Sequence, residues 1–157
     1  MEQKNYNISF EKITKENYLK YINLKVRQNQ EEFVASNVFS FAQALFYAGA
    51  RFQGILADNI PIGFYMVIKC NDLFEYSDGI EQPFLWRFMI DKNYQSMGFG
   101  KKALLSIIEN VKISYQAKLL FTSCIFKESS PEGFYLKIGF KKTDDKVNNE
   151  NILKYEL

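Results

Sequence analysis

Apolar and polar positions alternate near the start of the chain. Ile8-Ser9-Phe10-Glu11-Lys12-Ile13 has the period of two that a half-buried strand requires. Thr14 then offers a capping hydroxyl, and a helix is expected from it to about Asn29, with Asn17 and Tyr18 in its first turns. A second helix is expected over roughly 33–47. Within it Ser36, Ser40 and Gln43 fall at i, i+4 and i+7, so they share one face suited to lining a cleft. Residues 52–57 and 62–70 read as strands, joined by the turn chemistry of Asp58-Asn59-Ile60-Pro61. Residues 84–90 are dense in large apolar groups, which suits a central strand. A loop from Asp91 to Gly98 follows. Leu104, Ile107, Ile108 and Val111 then form the core stripe of a helix over about 99–111. Residues 118–126 form another apolar strand. Pro131 suits the first position of a short helix, and Gly139 suits its left-handed end. Strands near 141–147 and 152–157 close the chain. This order predicts a mixed α/β fold around one sheet.

Composition narrows the chemistry. At 157 residues the chain is expected to be one domain spanning 1–157. Lys+Arg is 20 and Asp+Glu is 18, so the net charge of +2 does not point to a nucleic-acid partner. There is no histidine, which excludes Ser-His and Cys-His catalysis and every His-ligated metal. Cys70 and Cys124 lack CxxC spacing and sit in apolar runs, so buried free thiols in strands are expected and no metal site is. The segment from Phe33 to Ala50 carries no charge, but Ser36, Ser40 and Gln43 interrupt it, and a membrane helix needs about 20 mostly apolar residues. No membrane partner and a cytoplasmic location are therefore expected.

The segment that carries chemistry is Gln95-Ser96-Met97-Gly98-Phe99-Gly100-Lys101-Lys102-Ala103, between a buried strand and an amphipathic helix. Gly98 and Gly100 allow positive φ and close backbone approach. The helix start presents unpaired N–H groups and the positive end of its dipole, together a cradle for a diphosphate. A Walker A loop is excluded because Lys102 stands where Ser or Thr is required. Gly98, Gly100 and Ala103 fit G-x-G-x-x-A literally, but a dinucleotide turn should follow the first strand, and no acidic residue ends the next strand. The alternative is a glycine-rich connection that binds nothing.

These residues resemble the GCN5-related N-acetyltransferases (GNAT). Gln95-Ser96-Met97-Gly98-Phe99-Gly100 matches the Q/R-x-x-G-x-G/A signature, and Phe88-Met89-Ile90-Asp91 and Phe134-Tyr135-Leu136-Lys137-Ile138-Gly139-Phe140 look like further family elements in order. The resemblance covers almost the whole chain. Gln28-Asn29-Gln30, Phe33-Val34-Ala35-Ser36-Asn37, Trp86-Arg87 and Ser130-Pro131-Glu132-Gly133 look like the spermine/spermidine (polyamine) branch. The fold implied is a central, mostly antiparallel sheet of six to seven strands flanked by about four helices.

The resemblance also implies roles. Acetyl-CoA would lie between the two central strands, with its pantetheine arm along Phe88, Met89 and Ile90. Its diphosphate would sit on the backbone of Gln95, Ser96, Met97, Gly98, Phe99, Gly100 and Lys101, with Lys137 a lesser candidate for the phosphates. Tyr135 would be the general acid for the leaving thiolate. The chain departs from the pattern at Glu128, where many relatives have Asn, at Pro131, and at Met97 and Phe99. The partner would be a small-molecule amine. Asp72, Glu75, Asp78 and Glu81 form an acidic stretch with no basic residue between Asn71 and Trp86, suited to attracting a polycation. Glu75, Glu81 and Glu31 are candidate acceptor carboxylates by location, and Trp86 suits cation–π contact with an amine. A solvated loop and a core tryptophan are the plainer alternatives. Another amine acceptor, or a CoA-binding module without transfer, remains open, and pairing into a homodimer is compatible with a chain this aromatic.

Overall fold

In this computed structural model residues 6–73 and 81–157 are described. The strands β1 (Ile8–Lys12), β2 (Arg51–Ala57), β3 (Ile60–Lys69), β4 (Pro83–Ile90), β5 (Leu119–Cys124), β6 (Lys141–Val147) and β7 (Glu150–Glu156) form one sheet in the order β1-β2-β3-β4-β5-β7-β6. Every neighbouring pair is antiparallel except β4 and β5, which run parallel. Parallel neighbours need a crossover, and the helix α3 (Phe99–Tyr115) supplies it. The remaining helices are α1 (Tyr18–Ile22), α2 (Asn37–Ala44) and α4 (Glu132–Ile138). This is the mixed α/β sheet with four helices that the order of elements predicts, and a mostly antiparallel sheet as the resemblance implies.

Two layers cover the sheet. The stripe Leu104, Ile107, Ile108 and Val111 of α3 packs on Ile55, Val67, Leu85, Leu120 and Leu153. On the opposite face α1 and α2 bring Tyr21 and Phe41 onto Phe64, Met66 and Met89. The Asn37 side chain ties the two helices together, donating to the Tyr21 carbonyl at 2.7 Å. The free edge of β6 carries Lys141, Lys142, Asp144, Asp145 and Lys146, charges that discourage further strand addition.

The first two helices are shorter than their sequence suggests. Thr14 does not cap α1. Instead its N–H donates to Asn17 Oδ1 at 2.7 Å, and Asn17 Nδ2 donates to the Lys12 carbonyl at 3.0 Å, so a turn precedes Tyr18. The helix stops at Ile22 because the following chain is captured elsewhere. The Lys25 N–H donates to Asp91 Oδ2 at 2.9 Å, and the Lys25 carbonyl accepts from Lys92 at 2.8 Å. A short 3-10 turn follows at Gln28–Gln30. Helix α2 starts only after Ser36, whose hydroxyl accepts from the Phe39 N–H at 3.2 Å.

Cys70 and Cys124 are free and buried; Cys124 ends β5, whereas Cys70 opens a 3-10 turn beyond β3 rather than lying in the strand. Burial pushes the thiols up to about 12 and about 11, so neither is a ready nucleophile. No helix among the described residues is long and apolar enough to cross a membrane.

Candidate active site

The parallel strands pair only through Phe84–Phe121 and Leu85–Thr122. A bulge helps part them. Against β3, Arg87 pairs with Met66 and Leu85 with Val67, which leaves Trp86 as the extra residue. A bulge bends its strand, and beyond Leu85 no ladder joins β4 to β5. A cavity of about 870 Å³ occupies the region around the opening. Phe88, Met89 and Ile90 line it from β4, and Phe134 and Tyr135 line it from α4. The Phe88 and Phe134 rings stack across it with centroids 6.0 Å apart.

At one end lies the start of α3. Gly98 is its N-cap, with φ 82° and ψ −4°, a conformation natural to glycine, and no side chain caps the helix. The first amide N–H groups of α3 therefore have no side-chain cap and no intrahelical partner. Side chains hold the preceding loop in place. Gln95 Nε2 donates to the Ile90 carbonyl and to Gln30 Oε1, each at 2.9 Å. Arg27 Nη2 donates to Ser96 Oγ at 3.0 Å. Gln95, Ser96, Gly98, Gly100 and Lys101 all line the cavity. Phe99 does not; its ring is buried in the core against Tyr6 and Tyr94. The Met97 side chain is exposed and Lys137 is exposed on α4, both away from the cavity lining.

Tyr135 is fixed by both ends of its helix. Its N–H donates to the Pro131 carbonyl at 3.1 Å, and its carbonyl accepts from Gly139 and Phe140 at 3.3 and 3.1 Å. Pro131 is thus the N-cap rather than the first helical residue, and Gly139 closes the helix at φ 121°. The ring packs edge-on against Phe140. Burial holds the phenol well above the ordinary tyrosine value, a hydrogen bond with Thr122 opposes this, and Cys124 and Glu150 add to the rise. The group remains a proton donor throughout the neutral range.

The other end is more polar. Arg87 Nε donates to Ser40 Oγ at 3.2 Å, Nη2 to Gln43 Oε1 at 2.8 Å and Nη1 to the Trp86 carbonyl at 2.8 Å. Two of the three serine and glutamine positions expected to face a cleft thus hold an arginine that lines one. The guanidinium lies 4.9 Å from the Trp86 ring centre, so the tryptophan's cation–π partner is internal. Burial lowers the Arg87 pKa, and Glu150 opposes that shift. No carboxylate among the described residues forms an ion pair with Arg87. Glu150 also lines the cavity, half-buried, accepting a hydrogen bond from the Ser123 hydroxyl.

Of the acceptor carboxylates expected from the sequence, Glu31 lines the cavity. Glu81 does not, and pairs with Lys69 instead. Glu75 lies outside the described residues. Sequence reasoning missed Glu150. The signal was Asn148-Asn149, whose φ values of 47° and 65° make a two-residue hairpin turn and set Glu150 opposite Val147. Reading that turn would have started β7 at Glu150 and placed it beside the cavity.

No protein-family model matches the chain. A curated spermine/spermidine N(1)-acetyltransferase of Bacillus subtilis is 27% identical over 154 residues, covering 96% of this chain and 99% of that protein. An N-acetyltransferase of Thermoplasma acidophilum, solved in complex with coenzyme A, superposes with a TM-score of 0.66 at 18% identity, covering 96% of this chain and 99% of the other. A GNAT acetyltransferase of Elizabethkingia anophelis with acetyl-CoA bound gives 0.64 at 16% identity, covering 96% and 99%.

Proposed function

We propose, from the premise that this chain is by fold and full-length resemblance a GNAT-type N-acetyltransferase, that it moves the acetyl group of acetyl-CoA to a primary amine of a small polyamine such as spermidine or spermine. The whole of 1–157 acts as one domain in this reading. The observation that carries it is the cleft itself, with an uncapped helix start at one end and a buried, protonated tyrosine further along.

The residues fit the donor. The open edge of β4 at Phe88, Met89 and Ile90 offers backbone groups to an amide-bearing arm, as a neighbouring strand would. The N–H groups from Gln95 to Lys101 and the dipole of α3 suit a diphosphate, and the Lys101 ammonium adds positive field. Acetyl-CoA supplies an activated thioester there. Tyr135 then gives its phenolic proton to the departing sulfur. The Bacillus relative's name and the cavity-lining Glu31 and Glu150 support a cationic acceptor.

A second reading keeps the reaction and changes the acceptor. Arg87 at the cavity wall forms no ion pair with a carboxylate among the described residues and feels Glu150 only at longer range, which favours an acceptor bearing its own carboxylate, such as an amino acid. Thiol release from acetyl-CoA, followed across spermidine, spermine and a set of amino acids, separates the two. Turnover with neither polyamine rejects the first reading.

The state of Tyr135 fixes part of the pH profile. The step needs the protonated phenol, and burial disfavours phenolate, so loss of the proton moves to higher pH. At saturating substrates kcat is expected to show no descending limb centred at or below pH ~10, the ordinary tyrosine value. Such a limb in a stopped-assay pH series would remove Tyr135 from the donor role.

A further inference from the structure

We infer that Glu150 is the proton acceptor for the attacking amine: its carboxylate receives the acceptor's ammonium group in the cleft and takes its proton. This rests on the N-acetyltransferase reading but holds for either acceptor.

Chemistry requires such a group. An alkyl amine with a pKa near 10.4 reaches the site as ammonium at neutral pH and has no lone pair until a proton leaves. The chain has no histidine to take it. Three carboxylates lining the cavity are described, Glu31, Glu32 and Glu150. Glu32 is held by Lys127 at 2.6 Å. Glu31 is exposed and follows the Gln28–Gln30 turn, whose Gln30 is bonded to Gln95 in the loop before α3, the end assigned to the diphosphate. Glu150 sits elsewhere. It is half-buried on the cavity wall and electrostatically coupled to Tyr135 on α4, Arg87 on β4 and Cys124 on β5. No lysine or arginine among the described residues forms an ion pair with it, Arg87 acting on it only at longer range, so its oxygens can still meet a cationic ligand. The Ser123 hydroxyl holds one carboxylate oxygen, and the Asn148-Asn149 turn fixes the backbone beneath it. This is a carboxylate held by a hydroxyl and a fixed turn on the wall of the cavity that the expected proton donor also lines.

The step balances. The ammonium passes one proton to the Glu150 carboxylate. The nitrogen lone pair forms the C–N bond at the thioester carbonyl carbon, and the C–S bond breaks with its electron pair left on sulfur. Sulfur takes the Tyr135 proton, and the phenolate recovers the second proton that nitrogen sheds. Glu150 returns its proton to water, so one acetyl group moves, one thiol forms and one proton is released.

The test is Glu150→Gln, close in shape and unable to accept the proton. Wild type is measured first with acetyl-CoA and the amine panel; transfer to none of them defeats the enzyme reading itself. With transfer established, the variant is expected to lose about 10²-fold in kcat/KM for the amine, while its calorimetric Kd for CoA stays within twofold. The defect should narrow as pH rises from 7 to 9, because the free-amine population grows about tenfold per unit. Ser123→Ala, which frees the carboxylate without removing it, should show a smaller loss with the wild-type pH trend. Wild-type kcat/KM in Glu150→Gln, a tenfold loss of CoA affinity, or a defect independent of pH would each overturn the assignment.

Discussion

Tyr135→Phe is expected to lower kcat by about 10²- to 10⁴-fold, the range that a positioned general acid contributes, while leaving the Kd for CoA within about twofold. The hydroxyl is the only part removed. The ring that packs on Phe134 and Phe140 stays, and so do the backbone bonds that cap α4. The folded structure should therefore survive, with at most the bond to Thr122 lost. Steady-state kinetics with calorimetry on the same preparation separate the effects. A kcat within threefold of wild type would mean that another group, or water, protonates the sulfur. A collapse of CoA affinity would mean that the hydroxyl shapes the donor site.

Gly63→Ala should give the largest change in stability. Gly63 faces Ile90 across the β3–β4 ladder, and a Cβ built there would stand 2.2 Å from the Met89 carbonyl oxygen. That oxygen belongs to backbone, so no rotamer relieves the clash, and β4 would have to move away from β3. Overpacking of this kind costs about 3 kcal/mol when the surroundings cannot yield. At about 2–4 °C per kcal/mol for a chain of this size, the midpoint of thermal unfolding should fall by about 6–12 °C. A fall below about 2 °C would show that the ladder is more yielding than its geometry. The substitution also bears on function, because the strand it displaces carries Phe88, Met89 and Ile90 along the cleft.

The sequence's legibility tracks how local each determinant is. The stripe Leu104, Ile107, Ile108 and Val111 announces α3, and it is one of the best-buried surfaces in the molecule. The glycine turn was readable because Gly98 needs its positive φ whatever the rest of the chain does. The parallel β4–β5 pair was not read from the sequence, although the α3 crossover between the strands is what makes it possible. Determinants that depend on distant partners were hidden. The end of α1 is set by Asp91 and Lys92, far along the chain. Glu81, chosen for its acidic neighbourhood, is claimed by Lys69. The bulge that leaves Trp86 unpaired arises only when β3 sets the register. Arg87 gave no signal because its partners Ser40 and Gln43 lie on another element. Glu150 could have been found, since it depends only on how the two asparagines before it turn.

That the start of α3 holds the donor's diphosphate is tested by calorimetry with two ligands. Acetyl-CoA should bind one-to-one with a Kd between about 1 µM and 1 mM, a range typical of enzyme substrates. S-acetylpantetheine, which keeps the thioester arm but lacks the diphosphate and nucleotide, should bind at least about 100-fold more weakly. Equal affinity for the two, or no heat with acetyl-CoA, would contradict it.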